Sequence, residues 1–191
     1  MSPFDYVTIL ISIILGLGIA QLVTGVADII HQQERLRLYW PHILWIPIIF
    51  FLIIQEWWDI YGLREYDTWR LPVFLFISLY PIALFILTRL LFPLSLTENS
   101  HLDFKHFYYK NYRRFFIVVV LTAFISGLEN IFIADRGIEG ILFQIIIIIV
   151  LSFIAFRKIE NEFVHKIIVL AWFVVVVVSV AIKWNEWLIS R

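Results

Sequence analysis

Polar residues in this chain come in short clusters, and the clusters divide it into long, nearly uncharged apolar stretches. The stretches are 4–30, 38–61, 71–94, 115–134, 138–156 and 163–182. Each is close to or longer than the roughly 20 apolar residues a helix needs to cross a bilayer. The pattern predicts an all-α integral membrane bundle of six transmembrane helices, forming a single transmembrane domain over 1–191. The only sizeable separator is 95–114, where His101, Asp103, Lys105, His106, Tyr108, Tyr109, Lys110, Tyr112, Arg113 and Arg114 read as an amphipathic loop on the membrane surface. Its basic end suits anionic headgroups.

The first stretch carries small and polar residues at a spacing of four: Ser12, Gly16, Ala20, Thr24 and Asp28, with Gly18, Gln21 and Gly25 beside them. Residues four apart lie on neighbouring turns, and small residues let helix backbones approach closely in lipid. The spacing therefore predicts that the first helix is the packing centre, with Ser12, Gly16, Gly18, Ala20, Thr24 and Gly25 as the contact positions. Pro41 falls in the first turn of the second helix, where its missing N–H costs nothing. Pro47 and Pro81 fall deeper and predict kinks or local backbone gaps.

Composition agrees with the pattern. Hydrophobic residues make up 62% of the chain and charged residues 16%, against about 45–50% and about 25% in soluble domains. The formal net charge is zero. With no basic block, nothing supports nucleic-acid binding. Cysteine is absent, which removes thiolate metal sites, disulfides and thiol catalysis. The first residues lack the basic segment of a secretory signal, so the first helix is expected to be retained. Arg35, Arg37, Arg89, Lys105, Lys110, Arg113, Arg114, Arg157, Lys158 and Lys166 fall on one side; Arg64, Arg70, Arg136, Lys183 and Arg191 fall on the other. Cytoplasmic loops carry the excess of Lys and Arg, so both termini are expected outside. Tyr39, Trp40, Trp57, Trp58, Tyr61 and Trp69 sit at stretch boundaries, where amphipathic rings favour the headgroup level.

Ionisable and amide side chains within the apolar stretches are the candidates for chemistry, because they are costly in lipid and face a partner, a bundle interior or water. By depth they form two groups. Toward the outer side lie Gln55, Glu56, Asp59, Glu129, Asn130 and Gln144, with Lys183 arriving from the sixth stretch. Toward the inner side lie Gln21, Thr24, Asp28, His42, Thr88 and Arg89, and Tyr80 lies between the groups. Glu129 reads either as a proton-exchanging or cation-coordinating carboxyl, or as a structural carboxyl paired with Lys183. Arg89 either snorkels to the headgroups or pairs with Asp28. His42 reads as a hydrogen-bonded interfacial residue, a proton relay or a haem ligand. No histidine pair has helical ligand spacing, so no metal site and no resident cofactor is expected, haem being the one alternative. Phosphate-loop, serine-hydrolase, zinc-protease and potassium-filter motifs are all missing, and no enzyme set stands out.

The segment Leu38, Tyr39, Trp40, Pro41, His42, Ile43, Leu44, Trp45, with Gln55, Glu56, Trp57, Trp58 and the earlier Leu15, Gly16, Leu17, Gly18, resembles a family of small, uncharacterised six-span bacterial inner-membrane proteins. The resemblance implies an inner-membrane setting and carries no catalytic residue across.

These residues predict a channel or transporter for protons or a monovalent cation. Glu56, Glu129, Gln55, Asn130 and Gln144 would form the outer part of an ion pathway. Tyr80 would line the middle, and Gln21, His42 and Asp28 the exit. Membrane lipids and further copies of the chain are the expected partners. Two other readings stay open. One is a non-transporting sensor, assembly partner or pore-forming defence effector; the other is a haem-binding or lipid-active membrane protein.

Overall fold

The computed structural model describes residues 2–65, 69–93, 102–133, 137 and 141–182. Among them are six α-helices: α1 (Pro3–His31), α2 (Trp40–Ile60), α3 (Leu71–Leu90), α4 (Phe104–Phe132), α5 (Leu142–Arg157) and α6 (Glu162–Ile182). All but α5 are long and apolar enough to cross a membrane, and the protein is a helical membrane protein. The 16 residues of α5 rise about 24 Å, short of the roughly 30 Å hydrocarbon core.

Helix starts follow local chemistry. Ser2 and Asp5 form a reciprocal cap on α1, with Asp5 N–H donating to Ser2 Oγ at 3.1 Å and Ser2 N–H to Asp5 Oδ2 at 2.7 Å. Such a pair satisfies two orphan donors at once. Proline occupies the first turn of α1, α2 and α3. Asn161 Oδ1 accepts from Phe163 N–H at 2.9 Å at the start of α6. At the other end of α5, Arg113 Nε donates to the Ala155 carbonyl at 2.9 Å, and Lys158 takes the left-handed conformation that stops the helix.

The expected surface loop is corrected over its second half. Asp103 caps a helix that starts at Phe104, accepting from Lys105 N–H at 2.7 Å and His106 N–H at 3.3 Å. Phe104, Tyr108, Tyr112 and Phe116 repeat every four residues on its buried side, while Lys105, Lys110, Arg113 and Arg114 point outward. Apolar rings on one face and charge on the other made a buried helix look like an interfacial one. A two-residue parallel pairing of β1 (Leu36–Arg37) with β2 (Leu102–Asp103) ties the α1–α2 connection to the start of α4.

The packing centre is also corrected. α3 packs on α1, α2 and α4, and α2 packs on α1, α3 and α6, so the middle of the bundle is α2 with α3. α1 lies at the edge. Its buried stripe is Val7, Ile11, Leu15, Gly18, Leu22, Gly25 and Ile29, whereas Ser12, Gly16, Ala20 and Thr24 are exposed. A strict spacing of four overshoots each turn of 3.6 residues by about 40°, so the small residues wind away from any single neighbour. Gly18 and Gly25 do serve as contacts. A Cβ on Gly18 would lie 3.2 Å from Ile53 Cδ1, and the Phe92 ring occupies the space a Cβ on Gly25 would need.

α6 is held mainly at its beginning. His165 and Val169 are its buried residues, and Lys105 and Lys166 both pair with Glu162 at 2.6 and 2.8 Å. Beyond Val169 its residues are only partly buried or exposed, with Trp172, Phe173 and Val176 packed against the core, and a hollow opens beside it.

Candidate functional site, an intramembrane chamber

Each wall of this hollow is built by helical spacing. On α2, Leu52, Gln55, Glu56 and Asp59 fall at i, i+3, i+4 and i+7 and share one face. On α4, Ser126, Glu129 and Asn130 repeat the same offsets, as do Trp172, Val175, Val176 and Ser179 on α6. α3 contributes Ile77 and Tyr80, and α5 contributes Phe143 and Gln144 from its first turn. Together these faces line a cavity of about 440 Å³, within the range of small-molecule sites. A second compartment of about 130 Å³ continues inward and shares Leu52, Gln55, Tyr80, Ser126, Phe143, Gln144 and Trp172 with the first.

Six of the sequence-predicted pathway residues thus meet at one space: Gln55, Glu56, Tyr80, Glu129, Asn130 and Gln144. Gln55 Nε2 donates to Asp59 Oδ2 at 3.4 Å within α2. Glu129 Oε1 and Gln144 Oε1 are buried and lack a hydrogen-bonding partner. Burying such an acceptor unmet costs free energy, and both acceptors line the same chamber. Among the described residues the wall contains no Lys, Arg or His, and no group of three His, Cys, Asp or Glu side chains is arranged to hold a metal ion. The paired structural role considered for Glu129 involves Lys183, which lies outside the described residues.

The expected exit residues lie elsewhere. Gln21 Oε1 accepts from Arg89 NH1 at 2.8 Å between α1 and α3. Of the two readings for Arg89, the pairing with Asp28 gives way to this amide; Asp28 lies two turns further along α1. His42 is buried against the rings of Phe104, Phe107 and Tyr108, and its Nε2–H donates to the Leu91 carbonyl at 2.8 Å. That bond satisfies a backbone acceptor just past the end of α3 and makes His42 a joint between helices. Pro47 is exposed on α2 and Pro81 is buried on α3; neither lines the chamber.

Trp45 closes the inner end. It is 1% exposed and sits against Phe115, Phe116 and Trp172 with ring centroids 5.1, 6.0 and 6.0 Å away. Trp45 lines the inner compartment on one side and, on the other, a void of about 10 Å³ bounded by His42, Tyr108 and Tyr112. That volume is near the least that holds one water. Beyond it, Tyr108 OH donates to His165 Nδ1 at 2.8 Å, and His165 Nε2–H donates to the Ile159 carbonyl at 2.8 Å. Tyr112 and Phe116 cover the imidazole with centroids 4.8 and 5.6 Å away.

Ser126, Ser179 and Trp172 were not among the sequence candidates. Ser126 had a readable signal, since it stands one turn before Glu129 and Asn130 on the same face. Ser179 and Trp172 had none, because α6 is apolar on every side.

The fold and site define a helical membrane protein with a one-sided polar chamber. No protein-family description, curated protein or solved structure matches the chain.

Proposed function

We propose that the protein is a six-span carrier in a bacterial inner membrane that takes up a proton or small cation in the chamber and releases it when the aromatic layer around Trp45 opens. One observation carries this reading: carboxyl and amide side chains from α2, α4 and α5 converge on a single cavity whose described wall has no positive group. Carboxyl and amide oxygens can replace the water shell of a cation within a membrane. Glu56 and Glu129 supply charge; Gln55, Asn130 and Gln144 supply neutral ligands. In this reading α5 makes the sixth crossing, both termini lie outside, and the end rich in Lys and Arg faces the cytoplasm. The exposed small residues of α1 provide the contact between copies in a homo-oligomer.

The closed inner end favours a carrier over an open channel, and it also supports a second reading, a sensor that binds without transport. Flux into proteoliposomes separates them. Wild-type protein is expected to move protons or alkali cations, and Glu129→Gln and Glu56→Gln to reduce that flux by about tenfold or more, as loss of a charge-assisted contact implies. Equal flux from wild type and variants, or none from any, would remove the carboxylate pathway. Ligand-induced stabilisation without flux would favour the sensor.

A further inference from the structure

The two compartments differ in chemistry, and together they describe a ligand larger than an inorganic ion. The outer one contains the carboxyls of Glu56 and Glu129 and the buried, unpartnered oxygens Glu129 Oε1 and Gln144 Oε1. Its volume of about 440 Å³ far exceeds a dehydrated inorganic cation and lies in the range of small-molecule sites. Two acceptors without donors ask instead for a ligand that brings its own N–H groups, and the lack of Lys, Arg and His in the described wall favours a positive one. The rings of Phe143 and Trp172 meet at 5.6 Å beside these acceptors, and aromatic faces attract cations.

The inner compartment is mostly apolar. Trp45, Ile49, Leu87, Val119, Ala123 and Ile147 line it, and it measures about 130 Å³. An apolar cavity of about 150 Å³ takes up benzene, so this space fits a group of roughly that size. Because the compartments share a wall, one molecule can reach both.

Resting on the chamber being a cation site, we infer that its ligand is a primary or secondary organic ammonium bearing a compact apolar or aromatic group. The ammonium N–H groups bond to Glu129 and Gln144, and the apolar group lies against Trp45.

The test is calorimetric titration of the full chain in lipid nanodiscs with phenethylamine, methylammonium, benzyltrimethylammonium and hydrocinnamate, alongside sodium and potassium chloride. Phenethylamine is expected to bind saturably. Methylammonium (no apolar group) and benzyltrimethylammonium (no N–H) are expected to bind about tenfold more weakly or worse, and the anionic hydrocinnamate not at all. Glu129→Gln is expected to weaken phenethylamine by about tenfold or more. Ala123→Phe, which fills the inner compartment, is expected to weaken phenethylamine far more than methylammonium. The ligand series on the wild-type chain decides the matter even if a variant fails to fold. Binding of the quaternary or anionic compound as tightly as phenethylamine, or no binding of phenethylamine, overturns the inference. If phenethylamine fails while Glu129-dependent flux of inorganic cations persists, only the ligand class falls. If neither depends on Glu129, the cation site falls with it.

Discussion

The two ends of this bundle solve the same packing problem in opposite ways. At the Lys105 end, α2, α4 and α6 meet through Trp45, Tyr112, Phe116 and His165, all nearly or wholly buried, and the imidazole of His165 has both nitrogens bonded. At the Asp59 end the same helices diverge around a hollow whose buried acceptors Glu129 Oε1 and Gln144 Oε1 have no partner. A polar group that stabilises a fold is one whose bonds are complete. Unmet polar atoms occur at both ends, because Trp45 Nε1 and Tyr112 OH are also buried without a partner; the Asp59 end differs in that its unmet acceptors line a cavity of about 440 Å³, whereas Tyr112 borders a void of about 10 Å³. Neither buried polarity nor an unmet bond distinguishes function from structure by itself; unmet acceptors beside a cavity of ligand size are the sign of a site.

This contrast can be broken from the filled end first. Trp45→Ala is expected to cost about 3–5 kcal/mol, the usual loss for a large buried ring, read as a lowered apparent Tm in detergent; a loss below about 1 kcal/mol would mean the layer is not a packed core. His165→Leu strands the Tyr108 hydroxyl and the Ile159 carbonyl, and each buried unmet group costs about 1–3 kcal/mol. A melt indistinguishable from wild type would remove the structural role given to this histidine. From the hollow end, Glu129→Gln is expected to change stability by no more than about 1 kcal/mol, because no bond of the unpartnered oxygen is lost; a larger drop in the same melt would make Glu129 structural. Smallest of all is Gly16→Ala on the exposed face of α1, where within one chain a Cβ meets nothing within 4 Å: the added methyl is expected to loosen the proposed contact between copies, read as a smaller particle in size-exclusion chromatography. An unchanged particle with a gain of about 0.5 kcal/mol of helix stability would mean that no second copy is seated on that face.

Much of the fold was legible because lipid imposes simple rules: apolar length marked six helices, of which five are long and apolar enough to cross a membrane, and Pro41 marked the start of α2. The wall of the chamber was legible too, as Glu56, Glu129, Asn130 and Gln144 lie at similar depth on their helices. What escaped were features set by rotation about a helix axis. Ser12, Gly16, Ala20 and Thr24 looked like one face but turn away from it, and the real stripe through Gly18 and Gly25 depends on alternating steps of three and four. Arg89 and Asp28 looked close in depth, yet Gln21, two turns earlier on α1, is the side chain that meets Arg89. Nothing in the sequence marked His165 as buried, since its neighbours Glu162 and Lys166 are charged, yet its own face of α6 turns into a cluster of rings.

The bonding of His165 has a consequence for how charge could cross. Its Nδ1 already accepts the Tyr108 hydroxyl proton and its Nε2–H is spent on a carbonyl, so the imidazole has neither a vacant lone pair nor a proton to hand on. His42 likewise spends its Nε2–H on Leu91. Tyr108 touches both imidazoles, and Trp45, which can donate but not accept, stands between this cluster and the inner compartment. In the proposed carrier, release toward this end therefore depends on the rings around Trp45 moving aside and not on the imidazole of His165.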